Sequence, residues 1–155
     1  MARGEIGFVG LGIMGKPMAR NLMKADYNVT VYDIVAEAVE ELASDGATPA
    51  SSAAEVASKV PLIITMVPDS PQSEAAIMGP GGVLEGASKG DTVIDMSSIA
   101  PSSSQKIASA CEALGVNFLD APVSGGETGA IEGTLAVMVG GQKEIFDSNF
   151  DMLST

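Results

Sequence analysis

Residues 5–21, EIGFVGLGIMGKPMARN, join a short apolar run to an amphipathic segment through three glycines, Gly10, Gly12 and Gly15. The apolar run, residues 6–10, has the length and composition of a buried strand. The three glycines could form either a phosphate-binding turn or an ordinary loop.

The segment after the glycines has the periodicity of a helix. Met14, Met18 and Leu22 recur every fourth residue and share one helical face. We predict a helix that begins near Gly12 or Ile13, so that the glycines lie between the first strand and the first helix.

The same alternation of strands and helices continues to the last residue. Further strands are predicted at residues 28–33, 61–68, 91–98, 116–126 and 133–141. Further helices are predicted at residues 35–46, 70–78, 100–115 and 142–155. Apolar strands that alternate with helices predict a doubly wound, mainly parallel α/β sheet of the Rossmann type, in a single domain spanning residues 1–155.

Composition excludes several classes of function. The 155 residues carry 8 basic and 20 acidic side chains, a formal charge of −12, which disfavours nucleic acid and anionic membranes as partners. With no histidine and the single cysteine Cys111, the chain lacks the usual zinc ligands, so we expect no metal site. Lacking a signal-peptide pattern and any long apolar run, the chain is expected to be cytoplasmic and not membrane-bound.

The glycine turn has the context of a dinucleotide site. It follows a predicted strand, opens a helix, and precedes an acidic residue, Asp33, at the end of the second strand. Gly10 would permit the tight turn, Gly12 would let the backbone approach a diphosphate, and Gly15 would let the helix pack closely on the sheet. A plain loop cluster and a solvated Asp33 remain the alternatives.

Asp33 also predicts which cofactor is bound. Its carboxylate can accept hydrogen bonds from the adenosine ribose, whereas a 2′-phosphate would meet like charge there. No Arg or Lys lies between Lys24 and Lys59 to neutralise such a phosphate. We therefore predict NAD(H) in preference to NADP(H).

A second glycine-containing turn follows the predicted strand at residues 116–126. Ser124 supplies a hydroxyl, and Gly125 and Gly126 allow backbone N–H groups to converge on a carboxylate. From the residues alone, a plain capped turn is the simpler interpretation.

Other polar residues receive structural interpretations. Asp95 and Asp120 are expected to be strand-end or packing residues, and Cys111 a buried apolar residue without a base to activate it. Lys143 is expected in a solvated turn, and Ser98 in a helix-capping segment unless it reaches the nicotinamide.

Four motifs in this order, GFVGLGIMGKPMARNL, MVPDSP, DMSSIAPSS and DAPVSGGETGAIEGTLAVMVGG, resemble the β-hydroxyacid dehydrogenases over essentially the whole chain. The resemblance implies hydride transfer between NAD(H) and a small 3-hydroxy acid or its semialdehyde. Within the family the pattern is most similar to the tartronate semialdehyde reductases. Dehydrogenases of 3-hydroxyisobutyrate and of 2-(hydroxymethyl)glutarate are the alternatives.

The resemblance also assigns roles to residues. It implies that Ser124, Gly125 and Gly126 bind the substrate carboxylate, in place of the plain turn. It implies cofactor contacts at Gly10, Leu11, Gly12, Ile13, Met14, Gly15, Asp33, Val67, Pro68, Gln72 and Ser98.

One part of the family pattern has no match in this sequence. Family members carry a catalytic lysine, in a Gly-rich context, on a long helix after the nucleotide domain, followed by an all-helical domain that mediates dimerisation. We expect this chain to be the cofactor-binding half alone, without a catalytic residue and inactive by itself. A non-catalytic NAD-binding module is the alternative. Without the helical domain, apolar surface that it normally covers would be exposed, which favours a homo-oligomer.

Overall fold

The computed structural model describes residues 3–155 as an α/β domain built on one six-stranded sheet. All its pairings are parallel, in the order β3-β2-β1-β4-β5-β6. The strands are β1 (Gly4–Val9), β2 (Tyr27–Tyr32), β3 (Thr48–Pro49), β4 (Leu62–Thr65), β5 (Thr92–Asp95), β6 (Asn117–Asp120), β7 (Val123–Ser124) and β8 (Ala136–Val137). The last two form a separate antiparallel ribbon.

Helices connect the strands of the sheet and cover it. They are α1 (Gly15–Lys24), α2 (Ala36–Ser44), α3 (Ala53–Lys59), α4 (Ser70–Met78), α5 (Val83–Gly86), α6 (Pro101–Ala113), α7 (Gly126–Glu132), α8 (Lys143–Ser148) and α9 (Phe150–Leu153). No helix in residues 3–155 is long and apolar enough to cross a membrane.

The core has two parts, one on each face of the sheet. Ile64 and Ile94 belong to the cluster that also contains the inner faces of α1 and α2, such as Leu22. Their sequence neighbours Ile63 and Val93 belong to the cluster beneath α3, α4 and α6. Adjacent strand residues therefore enter opposite cores, as the near-continuous apolar strands predict. The predicted doubly wound parallel sheet is confirmed.

Several predicted boundaries are wrong. Helix α1 begins at Gly15, and not near Gly12 or Ile13, because the backbone completes the glycine turn first. The strand predicted at 61–68 is only Leu62–Thr65, and the one at 91–98 only Thr92–Asp95. Strand β4 ends level with its neighbour β1, and β5 ends level with its neighbour β6, so neither has a strand to pair with beyond that point.

The region after β6 differs most from its prediction. The strand predicted at 116–126 ends at Asp120, since Pro122 has no N–H for the ladder and the chain turns away. Residues 133–141 contribute two residues to β8, outside the main sheet. The helix predicted at 142–155 is divided into α8 and α9 at Asn149.

Candidate functional site

The residues predicted to bind ligand lie along the carboxyl edge of the main sheet. Register pairs place Tyr32, Val9, Thr65, Asp95 and Asp120 in one row across five neighbouring strands. The segments that follow this row contain the glycine turn and all the other predicted positions. Ligands of open α/β sheets bind at this edge, so the topology supports a common site.

The glycine turn lies where the winding of the sheet reverses. Strand β1 is paired with β2 on one side and with β4 on the other. Gly10 N donates to Tyr32 O at 3.0 Å, and Met66 N donates to Val9 O at 2.9 Å, so both neighbours hold the start of the turn. The crevice outside β1 and β4 is the switch point at which such sheets bind nucleotides.

Two of the three glycines are required by the protein's own packing. Gly10 has a φ of +103°, and a Cβ there would overlap the carbonyl oxygen of Met66. A Cβ at Gly15 would overlap the carbonyl oxygen of Gly10. These positions exclude larger residues whether or not a ligand binds.

Gly12 differs from both. Its φ is not in the left-handed region, and a Cβ built on it would meet no atom of the protein within 4 Å. It is exposed, between the buried Leu11 and Ile13, whose side chain is 70% exposed. Nothing in the described fold requires glycine there, so the space beside Gly12 fits a group that approaches the backbone from outside.

The N-terminus of α1 can receive an anion. Met14 at its N-cap makes no side-chain capping hydrogen bond, and the first turn contains no acidic residue. The first N–H groups of a helix lack intrahelical partners and lie at the positive end of the dipole. Together with the open space at Gly12, they fit a diphosphate.

Asp33 follows β2 and is partly exposed. Its carboxylate has no hydrogen-bond or ion-pair partner within residues 3–155. The cations of the neighbouring α1 are occupied: Lys16 contacts Glu41 at 2.6 Å, and Arg20 contacts Glu41 at 3.2 Å and Asp45 at 2.8 Å. Hydrogen bonds from Lys16 and Arg20 lower the pKa of Glu41. These cations are thus held by α2 carboxylates.

The predicted cofactor contacts after β4 and β5 lie on two adjacent loops. Pro68 and Ser98 are exposed, and Gln72 is exposed in the first turn of α4. Val67 N donates to the hydroxyl of Ser97 at 2.8 Å, which links the two loops. Ser97 is wholly buried and was not predicted as a site residue. Side chains alternate between the two faces at the end of a strand, so its position two residues after Asp95 could have indicated that both lie on the same face.

Asp95 and Asp120 end β5 and β6, which confirms that they are strand-end residues. They are also register partners, a proximity that their separation in sequence did not reveal. Asp95 Oδ1 accepts hydrogen bonds from Thr65 Oγ1 at 2.9 Å and from Ser97 N at 3.1 Å.

The segment containing Ser124 continues from the same edge. Ser124 is exposed in β7, and Gly125 and Gly126 have φ values of +138° and +63°. The predicted turn therefore exists, but it leads directly into α7, which was not predicted. Asn21 Nδ2 on α1 donates to Ala130 O at 2.6 Å and holds α7 beside the first helix.

Two cavities of the described domain do not include the glycine turn. An apolar cavity of about 150 Å³ lies between α1, α7 and α9, and Met18, Leu22, Ala130 and Met152 contribute to its walls. A polar cleft of about 640 Å³ lies at the opposite edge of the sheet, beside Glu5 and Asp26. The candidate site is instead an open crevice over the backbone.

The structural predictions for Cys111 and Lys143 have different outcomes. Cys111 is buried, as predicted, and burial raises the pKa of its thiol to about 11. Lys143 is exposed, as predicted, but it begins α8 instead of lying in a turn, and it pairs with Asp147 at 2.7 Å.

Comparison with known proteins gives one family. Residues 5–155 match the NAD binding domain of 6-phosphogluconate dehydrogenase. Among curated relatives, 2-hydroxy-3-oxopropionate reductase of Escherichia coli (strain K12) is 46% identical over 143 residues, 92% of this chain and 49% of the relative. The mitochondrial 3-hydroxyisobutyrate dehydrogenase of Mus musculus is 44% identical over 148 residues, 96% of this chain and 44% of the relative.

Solved structures agree on the fold. The 3-hydroxyisobutyrate dehydrogenase of Mycobacterium tuberculosis with L-serine superposes with a TM-score of 0.93 at 34% identity, covering 99% of this chain and 52% of that one. Psf3 in complex with NADP⁺ and 2-OPP superposes with a TM-score of 0.91 at 29% identity, covering 96% and 53%.

The chain thus spans about half the length of the curated relatives it matches. The family match covers residues 5–155, including the glycine turn, Asp33 and the Ser124 turn. This chain is an NAD-binding domain of the β-hydroxyacid dehydrogenase family.

Proposed function

We propose that this chain binds NAD(H) in preference to NADP(H) and forms the cofactor half of an oxidoreductase. The reaction is hydride transfer between the nicotinamide and a small 3-hydroxy acid or its semialdehyde. Tartronate semialdehyde is the first candidate substrate, since the 2-hydroxy-3-oxopropionate reductase of E. coli is 46% identical. Relatives named for 3-hydroxyisobutyrate and 2-(hydroxymethyl)glutarate are 44% and 41% identical, so these substrates are tested beside it.

Gly12 is the observation that carries the proposal. It is a glycine at the switch point, next to an uncapped helix N-terminus, with open space where its Cβ would be. A diphosphate placed there would accept hydrogen bonds from the backbone N–H groups of α1 and would need no basic side chain. The net charge of −12 is therefore compatible with binding a dinucleotide.

Asp33 supports the choice of NAD(H). Its carboxylate is partly exposed at the end of β2, and the basic side chains of the adjacent α1, Lys16 and Arg20, are paired with Glu41 and Asp45. A ribose hydroxyl could donate to Asp33, whereas a 2′-phosphate would add negative charge beside an acidic helix.

The chain's own residues would hold the reactants on adjacent loops. Bound at the glycine turn, the dinucleotide would supply or accept the hydride through its nicotinamide. Val67, held by Ser97, would line the cofactor, and Ser124 with Gly125 and Gly126 would bind the substrate carboxylate. Carbonyl reduction also needs a proton donor, for which we propose no residue of this chain. We therefore expect binding without turnover by the chain alone.

The test is calorimetric titration of the purified chain with NADH and with NADPH, using wild type, Asp33→Ala and Glu40→Ala. Wild type should bind NADH more tightly than NADPH, and Asp33→Ala should lose that preference. Glu40→Ala removes an exposed acid of α2 and should keep it. Equal affinities for the two cofactors in wild type would overturn the preference, and no saturable binding would overturn the function.

Turnover is tested separately. NADH oxidation is followed with tartronate semialdehyde, first with this chain alone and then with the helical half of a family member added. We expect activity only in the mixture. A mixture that remains inactive while the chain binds NADH would favour a non-catalytic binding module.

A further inference from the structure

Two buried carboxyl oxygens at the carboxyl edge of the sheet have no hydrogen-bond partner in the described residues. They are Oδ2 of Asp95, at the end of β5, and Oδ1 of Asp120, at the end of β6. Asp95 is wholly buried. Unpartnered polar atoms are costly in such places, and a native protein normally provides a partner.

The two oxygens belong to neighbouring side chains. Asp95 and Asp120 are register partners in adjacent parallel strands. Register partners leave the same face of a sheet, and adjacent strands lie about 5 Å apart. A proton held by one carboxyl group would supply the missing hydrogen bond to both oxygens.

The surroundings indicate which carboxyl group holds the proton. Asp95 already accepts two hydrogen bonds through Oδ1, from Thr65 and Ser97. Burial, together with the negative charge of Asp95, raises the pKa of Asp120, and the hydroxyl of Ser104 on α6 lowers it by less. Asp120 is therefore the donor and Asp95 the acceptor.

Two helices, α6 and α8, pack against β6. In residues 3–155, no other charged group on these two helices acts on the carboxyl pair. On these helices Lys106 pairs with Glu74, Lys143 pairs with Asp147, and Glu112 and Glu144 are exposed.

We propose that Asp95 and Asp120 hold one proton between Asp95 Oδ2 and Asp120 Oδ1, and that this hydrogen bond positions the two loops of the candidate site. On one side, Asp95 holds Ser97, whose hydroxyl accepts from Val67 N. On the other, Asp120 directly precedes the segment that leads to Ser124. The shared proton stands on the two unpartnered oxygens and the strand register, with the raised pKa of Asp120 in support, whereas its positioning effect rests on the proposed function.

The proton is tested by carbon-13 NMR of the whole chain labelled at the aspartate carboxyl carbons, with Asp95→Asn and Asp120→Asn used to assign the resonances. We expect the carboxyl carbon of Asp120 to titrate above its ordinary pKa of 3.8, and the chemical shift of the Asp95 carboxyl carbon to change over the same pH range as its hydrogen-bond partner ionises. Asp95→Asn should shift the Asp120 step to lower pH. An Asp120 that titrates at its ordinary value, or an Asp95 carboxyl carbon that does not respond to the Asp120 step, would overturn the proposal.

The positioning role is tested with a pair of variants. The amide of Asp120→Asn can still donate to Asp95 but cannot ionise, whereas Asp120→Ala cannot donate. At a pH below the titration step of Asp120, Asp120→Asn should keep the unfolding temperature and the NADH affinity of wild type, and Asp120→Ala should lower both. The exposed acid Glu112, changed to Ala, is the control. Equal losses in Asp120→Asn and Asp120→Ala would contradict a shared hydrogen bond.

The pH dependence has a defined sign. Because the folded pKa of Asp120 is raised, the stability from its protonation is full below the ordinary value of 3.8 and is lost as pH rises through the folded pKa. Wild type should therefore lose stability relative to Asp120→Asn over that range. A parallel pH profile for the two proteins would contradict the proposal. The carboxyl titration needs no ligand, so a chain that fails to bind NADH would overturn the proposed function and leave the proton test intact.

Discussion

At the scale of single residues, the three glycines of the first turn meet three different demands. Side chains at Gly10 and Gly15 would collide with backbone carbonyl groups, so packing alone requires glycine there. Gly12 has no such neighbour. The sequence pattern predicted the separate tasks, but only coordinates distinguish a glycine required by the fold from one that leaves space for a ligand.

Gly15→Ala should destabilise the domain without any ligand. Its methyl group would overlap the carbonyl oxygen of Gly10, and overpacking of this kind costs about 1–3 kcal/mol. Urea unfolding followed by circular dichroism measures the loss. Gly4→Ala is the control, because its Cβ would be 3.8 Å from the ring of Tyr27, an ordinary contact. Identical midpoints for the two variants would contradict this assignment.

At the scale of elements, the sequence predicted the long apolar strands and the periodic helices, but it missed short helices such as α3 and α7. Helix α3 has a capping signal that could have found it: Ser52 Oγ accepts from Glu55 N at 3.0 Å, and Glu55 Oε1 accepts from Ser51 N at 2.8 Å. Helix α7 gave a weaker signal, since it contains Gly129. A Cβ at Gly129 would lie 3.1 Å from Leu135 Cδ2, so that glycine serves a tertiary contact that sequence alone does not reveal.

Only part of the candidate site was predicted, because some of its contacts are tertiary and cannot be seen in the sequence. Positions on the glycine turn follow from local spacing. The link from Asp95 through Ser97 to Val67 depends on which strands become neighbours, a result of topology. The extent of β6 was overestimated because the apolar pattern continues beyond Asp120 while its hydrogen-bonding partner does not.

Ser97→Ala tests this link between loops. The change leaves the N–H of Val67 without its acceptor, and loss of one such hydrogen bond costs about 0.5–1.5 kcal/mol. Amide hydrogen exchange at Val67 should become faster, and the unfolding midpoint should fall. Ser102→Ala, at an exposed position of α6, is the control. Unchanged exchange at Val67 would show that Ser97 does not hold this loop.

At the scale of the whole molecule, the C-terminal part presents apolar side chains to solvent. Ile131, Met138 and Phe150 are 56%, 58% and 53% exposed, although the main sheet is covered on both faces. The chain also spans only about half the length of its curated relatives. Exposed apolar groups favour association with another protein surface.

We expect the purified chain to self-associate. Size-exclusion chromatography with light scattering should give a mass that rises with protein concentration, and Phe150→Ser should reduce that rise. Ile34→Ser is the control, because Ile34 is 90% exposed but follows β2 and is not part of the C-terminal segment. A monomer at every concentration would contradict this expectation.

The central claim is that the glycine turn binds the dinucleotide, and the most direct measurement is calorimetric titration of NADH into wild type, Gly12→Ala and Gly4→Ala. A methyl group at Gly12 has space in the protein, so this variant should unfold at the same midpoint as wild type. It should bind NADH at least about tenfold more weakly, since loss of a charge-assisted hydrogen bond costs about 1.5–3 kcal/mol. Gly4→Ala should bind as wild type does. A folded Gly12→Ala with unchanged NADH affinity would contradict the account.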